Sequence, residues 1–301
     1  MYVYLNDRLV PVSDAKVSVF DHGFLYGDGV FETMRVYDGV VFMLNEHLYR
    51  LYRSASMIRL DISFDPDFIK KAIYETLYAN KLRNAYVRVT VSRGYGSVGL
   101  DTELCKEPTF VVIAEEFKEY PESYYRGGVK VIVAKTRRNH KDALNPQIKS
   151  INFLNNILAK IEAKEKGAYE AIMLNSEGRV AEGTISNVFF VKEAGAIRES
   201  PLLCTPSKDA GILDGITRGI AINLAERDSI MVNEGSFTPE DLYSALEVFL
   251  TNTTMEIIPV CQVDNVRYSV GSVTKLLHEA YRKVVKDYVT SNKLSSLKGR
   301  R

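Results

Sequence analysis

A lysine, a glutamate, an arginine and two small, hydroxyl-bearing turns are the parts of this sequence that could do chemistry. Lys149 lies in Asn145-Pro146-Gln147-Ile148-Lys149-Ser150-Ile151-Asn152, between a proline-marked turn and a helix start, with Ile148 and Ile151 nearby. Burial disfavours an ammonium, so a lysine desolvated there would titrate low and act as an amine nucleophile. A surface lysine ahead of a helix explains the same local sequence. Glu182 sits among small residues in Ala181-Glu182-Gly183-Thr184-Ile185-Ser186-Asn187, just before the apolar run Val188-Phe189-Phe190-Val191. A carboxylate entering a buried strand needs a partner, either an arginine of the chain or a protonated ring nitrogen of a ligand. Asp214-Gly215-Ile216-Thr217-Arg218 opens a helix on glycine and leaves backbone N–H groups at the positive end of the helix dipole. That setting suits a phosphate, and it also suits an ordinary helix start. Thr251-Asn252-Thr253-Thr254 is a hydroxyl-rich turn that would also suit an anion. Arg50, one helical turn after His47, could clamp a phosphate bidentately or simply be solvated.

These residues must be positioned by a chain that reads as strands with interspersed helices. Hydrophobic periodicity predicts strands over 3–5, 9–12, 31–37, 40–44, 86–92 and 110–114, with Asp38-Gly39 as a type I′ hairpin turn. Asn45 is expected to cap one helix and Asp65-Pro66 to open another, with Ile69, Ala72, Ile73, Thr76 and Leu77 on one stripe. Strand alternation puts Tyr86 and Arg88 on one face, and likewise Phe31, Thr33 and Arg35. A polar, proline-broken stretch over 119–128 separates a first domain, 1–118, from a second, 129–301. The second domain has expected strands at 129–134, 170–174, 185–191, 230–232, 247–251 and 257–263. Its helices are expected at 152–166, 216–227, 239–243 (capped by Thr238) and 273–288, with a frayed basic tail after 291. Short connections between strands predict an α+β architecture of mixed sheets curled around a core, and not a regular βαβ wind.

Composition narrows the partners. Thirty-nine basic against 38 acidic residues give a net charge of +1, which provides no global field for nucleic acid or a membrane surface. No apolar run approaches the roughly 20 residues of a membrane span, and the N-terminus lacks the basic and apolar regions of an export signal. Cys105, Cys204 and Cys261 are too scattered for a disulfide framework or a zinc site, so no metal is expected and a cytoplasmic location is.

Taken together and in this order, the signals are specific. Arg50, Lys149, the Glu182-Gly-Thr-x-Ser-Asn stretch, the Leu213-Asp-Gly-Ile-Thr-Arg218 stretch and the Thr253-Thr254 turn resemble the class IV (fold type IV) aminotransferases, which use pyridoxal 5′-phosphate. The resemblance runs from Asp21-His22-Gly23 to about Arg267 and is greatest to the branched-chain amino-acid aminotransferases, through Tyr26-Gly-Asp-Gly-Val-Phe-Glu-Thr-Met-Arg35, Tyr86-Val-Arg88 and Gly96-Ser-Val-Gly-Leu-Asp101. It implies a two-domain fold with a small α/β domain and a larger pseudo-barrel domain. Lys149 would carry the cofactor as an imine and shuttle a proton between the substrate Cα and C4′. Glu182 would keep the pyridine nitrogen protonated, Leu213 would pack on the ring, and Arg50, Ile216, Thr217, Thr253 and Thr254 would hold the phosphate. Tyr26, Phe31 and Tyr86 would line an apolar side-chain pocket, and Arg88 with the Thr253-Thr254 turn would recognise the carboxylate. Arg35 is either a further substrate residue or structural.

The activity implied is transfer of the amino group of leucine, isoleucine or valine to 2-oxoglutarate by a ping-pong route, in a homodimer or larger homo-oligomer. Two stretches depart from the pattern. Phe153 and Leu154 stand where many bacterial branched-chain enzymes have a tyrosine, and in this the sequence is closer to the D-amino-acid aminotransferases. Arg93-Gly94 is similar to those enzymes too, but Tyr95 to Leu100 replace the arginine and histidine that follow. The stretch from Val191 to Leu203 is also longer than the class pattern. The alternatives are therefore a D-amino-acid aminotransferase, an aminodeoxychorismate lyase and a non-catalytic binder of the vitamin.

Overall fold

The Asp38-Gly39 dipeptide turns as its residue types require, with φ of +48° and +83°, in a computed structural model of the chain that describes residues 1–193 and 201–298, the side chains of 294–298 excepted. The chain divides into two compact units. The first comprises Met1–Lys118, Ile148–Asn152 and Val285–Arg301, and the second Glu119–Gln147 and Phe153–Val284.

In the first unit, β1 (Tyr2–Leu5), β2 (Arg8–Pro11), β3 (Gly29–Tyr37), β4 (Val40–Val41), β5 (Ala85–Ser92) and β6 (Thr109–Glu116) form an antiparallel sheet in the order β2-β1-β6-β5-β3-β4. The helices are α1 (His22–Tyr26), α2 (Leu44–Met57) and α3 (Pro66–Ala79). Asp65 caps α3 by accepting from Phe68 N–H at 2.7 Å, and the expected stripe from Ile69 to Leu77 is buried. The β4 strand ends at Val41, short of the expected 44, and Met43 rather than Asn45 is the N-cap of α2. Met43 takes a left-handed conformation (φ +51°), which turns the chain from strand into helix without a side-chain cap. Val30, Met34, Val36, Val87, Val89 and Val91 fill the core beneath these helices, each buried side chain worth about 2 kcal/mol. Parity then leaves Phe31, Thr33 and Arg35 on the opposite face of β3, in register with Thr90, Arg88 and Tyr86 of β5.

The second unit holds the other strands. These are β7 (Val129–Val133), β8 (Glu170–Leu174), β9 (Val180–Gly183), β10 (Asn187–Glu193), β11 (Pro201–Pro206), β12 (Met231–Gly235), β13 (Glu247–Asn252), β14 (Glu256–Val263) and β15 (Val266–Arg267). Their order is β12-β11-β10-β13-β14-β7-β8-β9, with β15 on β14, and parallel and antiparallel pairs are mixed. Although β9 and β10 stand far apart in this order, residues 184–186 join them and Gly183 N–H donates to the Ser186 carbonyl at 2.6 Å. The sheet must therefore curl, enclosing Val131, Ile172, Val188, Phe190, Leu250 and Ile258, as expected of an α+β fold without a βαβ wind. Sequence reading missed β9, which Glu182 and Gly183 interrupt as a hydrophobic pattern, and β11, which is bounded by prolines. The helices here are α4 (Glu122–Gly127), lying within the stretch read as a linker, α5 (Leu154–Glu165), α6 (Ile216–Arg227) and α7 (Pro239–Tyr243), capped by Thr238 as expected. The last helix, α8 (Ser272–Lys298), continues through the tail expected to fray, with Tyr288 edge-on to Phe42 and Lys293 paired with Asp38. The lengthened stretch between Val191 and Leu203 runs through 194–200, outside the described residues.

Candidate active site

In the first unit, the segment carrying Lys149 lies along β3. Phe31 N–H donates to the Lys149 carbonyl at 2.9 Å, Ile151 N–H to the Gly29 carbonyl at 3.0 Å, and Lys149 N–H to Ser54 Oγ of α2 at 3.2 Å. Gly29 permits this, because a methyl there would press on Val91, Ser92 and Ile151. Three backbone tethers define where the side chain of the half-buried lysine starts, and its Nζ lies 4.6 Å from the centre of the Phe31 ring. Arg88, from β5, places its guanidinium 3.8 Å from the same ring. The structure thus brings an amine, an aromatic wall and a second cation together.

Thr33 Oγ1 and Tyr86 Oη, next on that face, are 3.4 Å apart. The Arg35 guanidinium stacks on Phe117 at 3.3 Å and Tyr37 at 4.7 Å and donates to the Val36 carbonyl. Tyr26 sits at the end of α1, edge-on to His22, and its Oη accepts from Gly99 N–H at 3.0 Å.

Arg50 is buried in α2, where its Nε and one terminal nitrogen donate to the two oxygens of Glu32 at 2.6 and 2.9 Å. His47 Nδ1 donates to the same carboxylate at 2.7 Å. Glu32 is 0% exposed. Burial is the largest influence on it and pushes its pKa up, yet the Arg50 charge and hydrogen bonds, with His47, hold it well below the usual carboxylate range. His47 is pushed below its ordinary value, first by burial and then by the Arg50 and Lys149 charges, against the pull of Glu32. Sequence reading passed over Glu32 and His47 as working residues. The available signal was a glutamate on the core-facing parity of β3, between Val30 and Met34.

In the second unit Glu182 lies in β9, one residue before its end, and is 5% exposed. Arg138 Nε donates to its Oε1 at 2.8 Å, while Leu213 N–H and the Asn187 side-chain amide donate to Oε2 at 2.9 and 3.3 Å. The chain itself therefore supplies an arginine partner. Arg138 was missed because nothing in Thr136-Arg137-Arg138-Asn139-His140 marks it as buried. Nearby, Gly215 is the N-cap of α6, which has no side-chain cap and no acidic residue in its first turn. A methyl at Gly215 would overlap the Asn187 side-chain oxygen, so glycine lets Ile216 and Thr217 begin the helix against Asn187. Asp214, just outside the helix, is engaged by Lys208 at 2.7 Å. The Thr253-Thr254 turn is organised by Asn252, whose oxygen accepts from Thr254 N–H, Thr254 Oγ1 and Met255 N–H at 2.7–3.0 Å. Tyr120 Oη lies 3.3 Å from Thr254 Oγ1.

Arg93, the residue shared with the D-enzyme pattern, is committed elsewhere. It pairs with Asp28 and donates to the carbonyls of Ile58 and Arg59.

A fold of this kind, with a tethered lysine, a donor-fixed buried glutamate and an uncapped helix N-terminus, defines an enzyme class that comparison with known proteins identifies. The family model described as amino-transferase class IV matches residues 29–263, and the chain belongs to that family. Class IV aminotransferases depend on pyridoxal 5′-phosphate.

Among its relatives is a Methanocaldococcus jannaschii protein provisionally named a branched-chain-amino-acid aminotransferase, 45% identical over 94% of this chain and 96% of its own. An aminodeoxychorismate lyase of Bacillus subtilis is 34% identical (95% and 96% covered), and a D-alanine aminotransferase of Listeria innocua 35% (93% and 95%). The fold matches the solved branched-chain amino acid aminotransferase of Escherichia coli with a TM-score of 0.88 at 32% identity, covering 94% and 93%. It matches the branched-chain aminotransferase of Thermoproteus uzoniensis, solved with norvaline, with 0.87 at 36%, covering 95% and 94%. Among the described residues no helix is long and apolar enough to cross a membrane.

Proposed function

We propose that the protein transfers the amino group of branched-chain L-amino acids (leucine, isoleucine and valine) to 2-oxoglutarate by a ping-pong route in the cytoplasm, with pyridoxal 5′-phosphate attached at Lys149. The observation that carries this reading is the Phe31 ring flanked by Lys149 Nζ and the Arg88 guanidinium, an apolar wall between a nucleophilic amine and a cation suited to a carboxylate.

The donor set fits the cofactor. Glu182, held ready by Arg138, Asn187 and Leu213 N–H, is the acceptor that a protonated pyridine nitrogen requires. The uncapped start of α6 offers the Ile216 and Thr217 N–H groups to a phosphate, which Arg50, Thr253 and Thr254 also bind. When bound, the cofactor supplies the electron sink on which loss of a proton from an amino acid Cα depends. Lys149, as a free amine, would move that proton between Cα and C4′. Leu213 would pack on the ring, while Glu182 would hold the nitrogen proton in place. Tyr26, Phe31 and Tyr86 line the side-chain pocket and Arg88 orients the substrate carboxylate, with Arg35 ordering the far end of the same face.

A donor panel with 2-oxoglutarate tests this: L-leucine, L-isoleucine and L-valine are expected as good donors with parallel double-reciprocal plots. Strong D-alanine turnover without L-leucine turnover would replace the reading with a D-amino-acid aminotransferase. Conversion of an aminated chorismate with no keto-acid acceptor would replace it with a lyase.

A further inference from the structure

We infer that Thr251 is a phosphate-binding residue, which completes, with the start of α6, a cradle for a phosphate monoester dianion. This rests on the reading above that the second unit anchors the cofactor's phosphate. Thr251 lies near the end of β13, is 1% exposed, and has its Oγ1 buried with no hydrogen-bond partner among the described residues. A buried hydroxyl left unmatched is a cost to the fold, so one that persists calls for a ligand. In the β10–β13 pairing Thr251 stands directly opposite Asn187, and opposed residues of an antiparallel pair project from the same face.

Asn187 on that face has its oxygen against Gly215, the uncapped N-cap of α6. The orphaned hydroxyl therefore projects on the side of the sheet where Asn187 meets the start of α6, whose first turn includes the buried Thr217. Two independent features, a helix start with no cap and a buried donor with no acceptor, meet on one side of the sheet. A hydroxyl donor and backbone N–H groups suit the oxygens of a phosphate ester, with Thr251 donating its proton to one of them. Thr251 was read from the sequence only as the edge of a turn whose ligands are Thr253 and Thr254. Its place on the strand gives it a role of its own.

The test compares apo-protein of wild type, Thr251→Val and Thr251→Ser. Binding of pyridoxal 5′-phosphate and of unphosphorylated pyridoxal is followed by absorbance, and melting is followed with and without inorganic phosphate. Thr251→Val is expected to weaken pyridoxal 5′-phosphate about tenfold or more, the worth of one hydrogen bond to a charged group, and pyridoxal less than about twofold. Thr251→Ser keeps the hydroxyl and should stay close to wild type. Without ligand, Thr251→Val should melt at the wild-type temperature or higher, because an unsatisfied hydroxyl has gone, while its stabilisation by inorganic phosphate shrinks. Equal pyridoxal 5′-phosphate affinity in Thr251→Val and wild type overturns the inference. So does an equal loss of both vitamers, which marks a merely structural residue. If wild type binds neither vitamer but phosphate stabilises it more than Thr251→Val, the cofactor reading fails and the phosphate site stands.

Discussion

The two units each bury a carboxylate against an arginine, and the proposed roles within the pairs are reversed. In the first unit Glu32 orients Arg50, and the arginine is the working member. In the second Arg138 orients Glu182, and the carboxylate works. Both arrangements follow from one constraint. A buried charge is tolerable only when paired and hydrogen-bonded, so presenting a single charge to a ligand requires a second charge behind it. The difference lies in the residue behind. Glu32 is enclosed by Arg50 and His47 and has no exposed surface, whereas Arg138 is 9% exposed; the working members, Arg50 and Glu182, are equally buried.

The largest effect that would sharpen this contrast lies outside both pairs. Lys149→Ala should lower transamination by about 10⁴-fold or more in a protein with unchanged far-ultraviolet circular dichroism, since the general base is gone. Steady-state turnover near the wild-type rate would remove the lysine from the reaction.

Next is Glu32→Ala, which strands the buried Arg50 charge and should cost about 3–5 kcal/mol in urea unfolding. A loss under about 1 kcal/mol, the worth of a surface pair, would show that the first pair is not enclosed as described.

Glu182→Gln keeps the shape and should cut turnover by about 10²–10³-fold, the scale of removing one electrostatic group from an active site. Turnover close to wild type would show that the carboxylate of the second pair is not its working member.

The smallest effect is acid sensitivity of the first unit. The folded His47 resists protonation, while the unfolded one takes up a proton near its ordinary value, so stability should begin to fall as pH drops below about 6.5. Glu32 adds to this with the same sign. Its contribution is complete above the unfolded carboxylate value and is lost as pH falls below it toward the lower folded value. Melting temperature against pH should therefore fall less between about pH 7 and 5 in His47→Gln than in wild type, and identical slopes would exclude His47 as the source.

Local sequence made some features legible and hid others for identifiable reasons. The Asp38-Gly39 turn, the Asp65 cap and the alternation of β5 depend on neighbours within a few residues, and each formed as its residue types require. The start of α2 did not, because a left-handed Met43 reverses the chain where Asn45 offered a ready cap. Arg138 carried no local mark at all, since its burial depends on β9 arriving beside it, and β9 was itself broken up in the pattern by Glu182 and Gly183.

By itself the sequence determined the residue types, the strand parities and the order of motifs, and through these the family to which the chain belongs. These are consequences of chain chemistry and short-range periodicity. Only the tertiary structure decided that Glu32 stands behind Arg50, that Arg138 stands behind Glu182, that Arg93 is committed to Asp28, and that the buried Thr251 hydroxyl has no hydrogen-bond partner among the described residues. Those facts arise where segments tens of residues apart come into register, and the free energy of a buried charge or hydroxyl depends on what that register places against it.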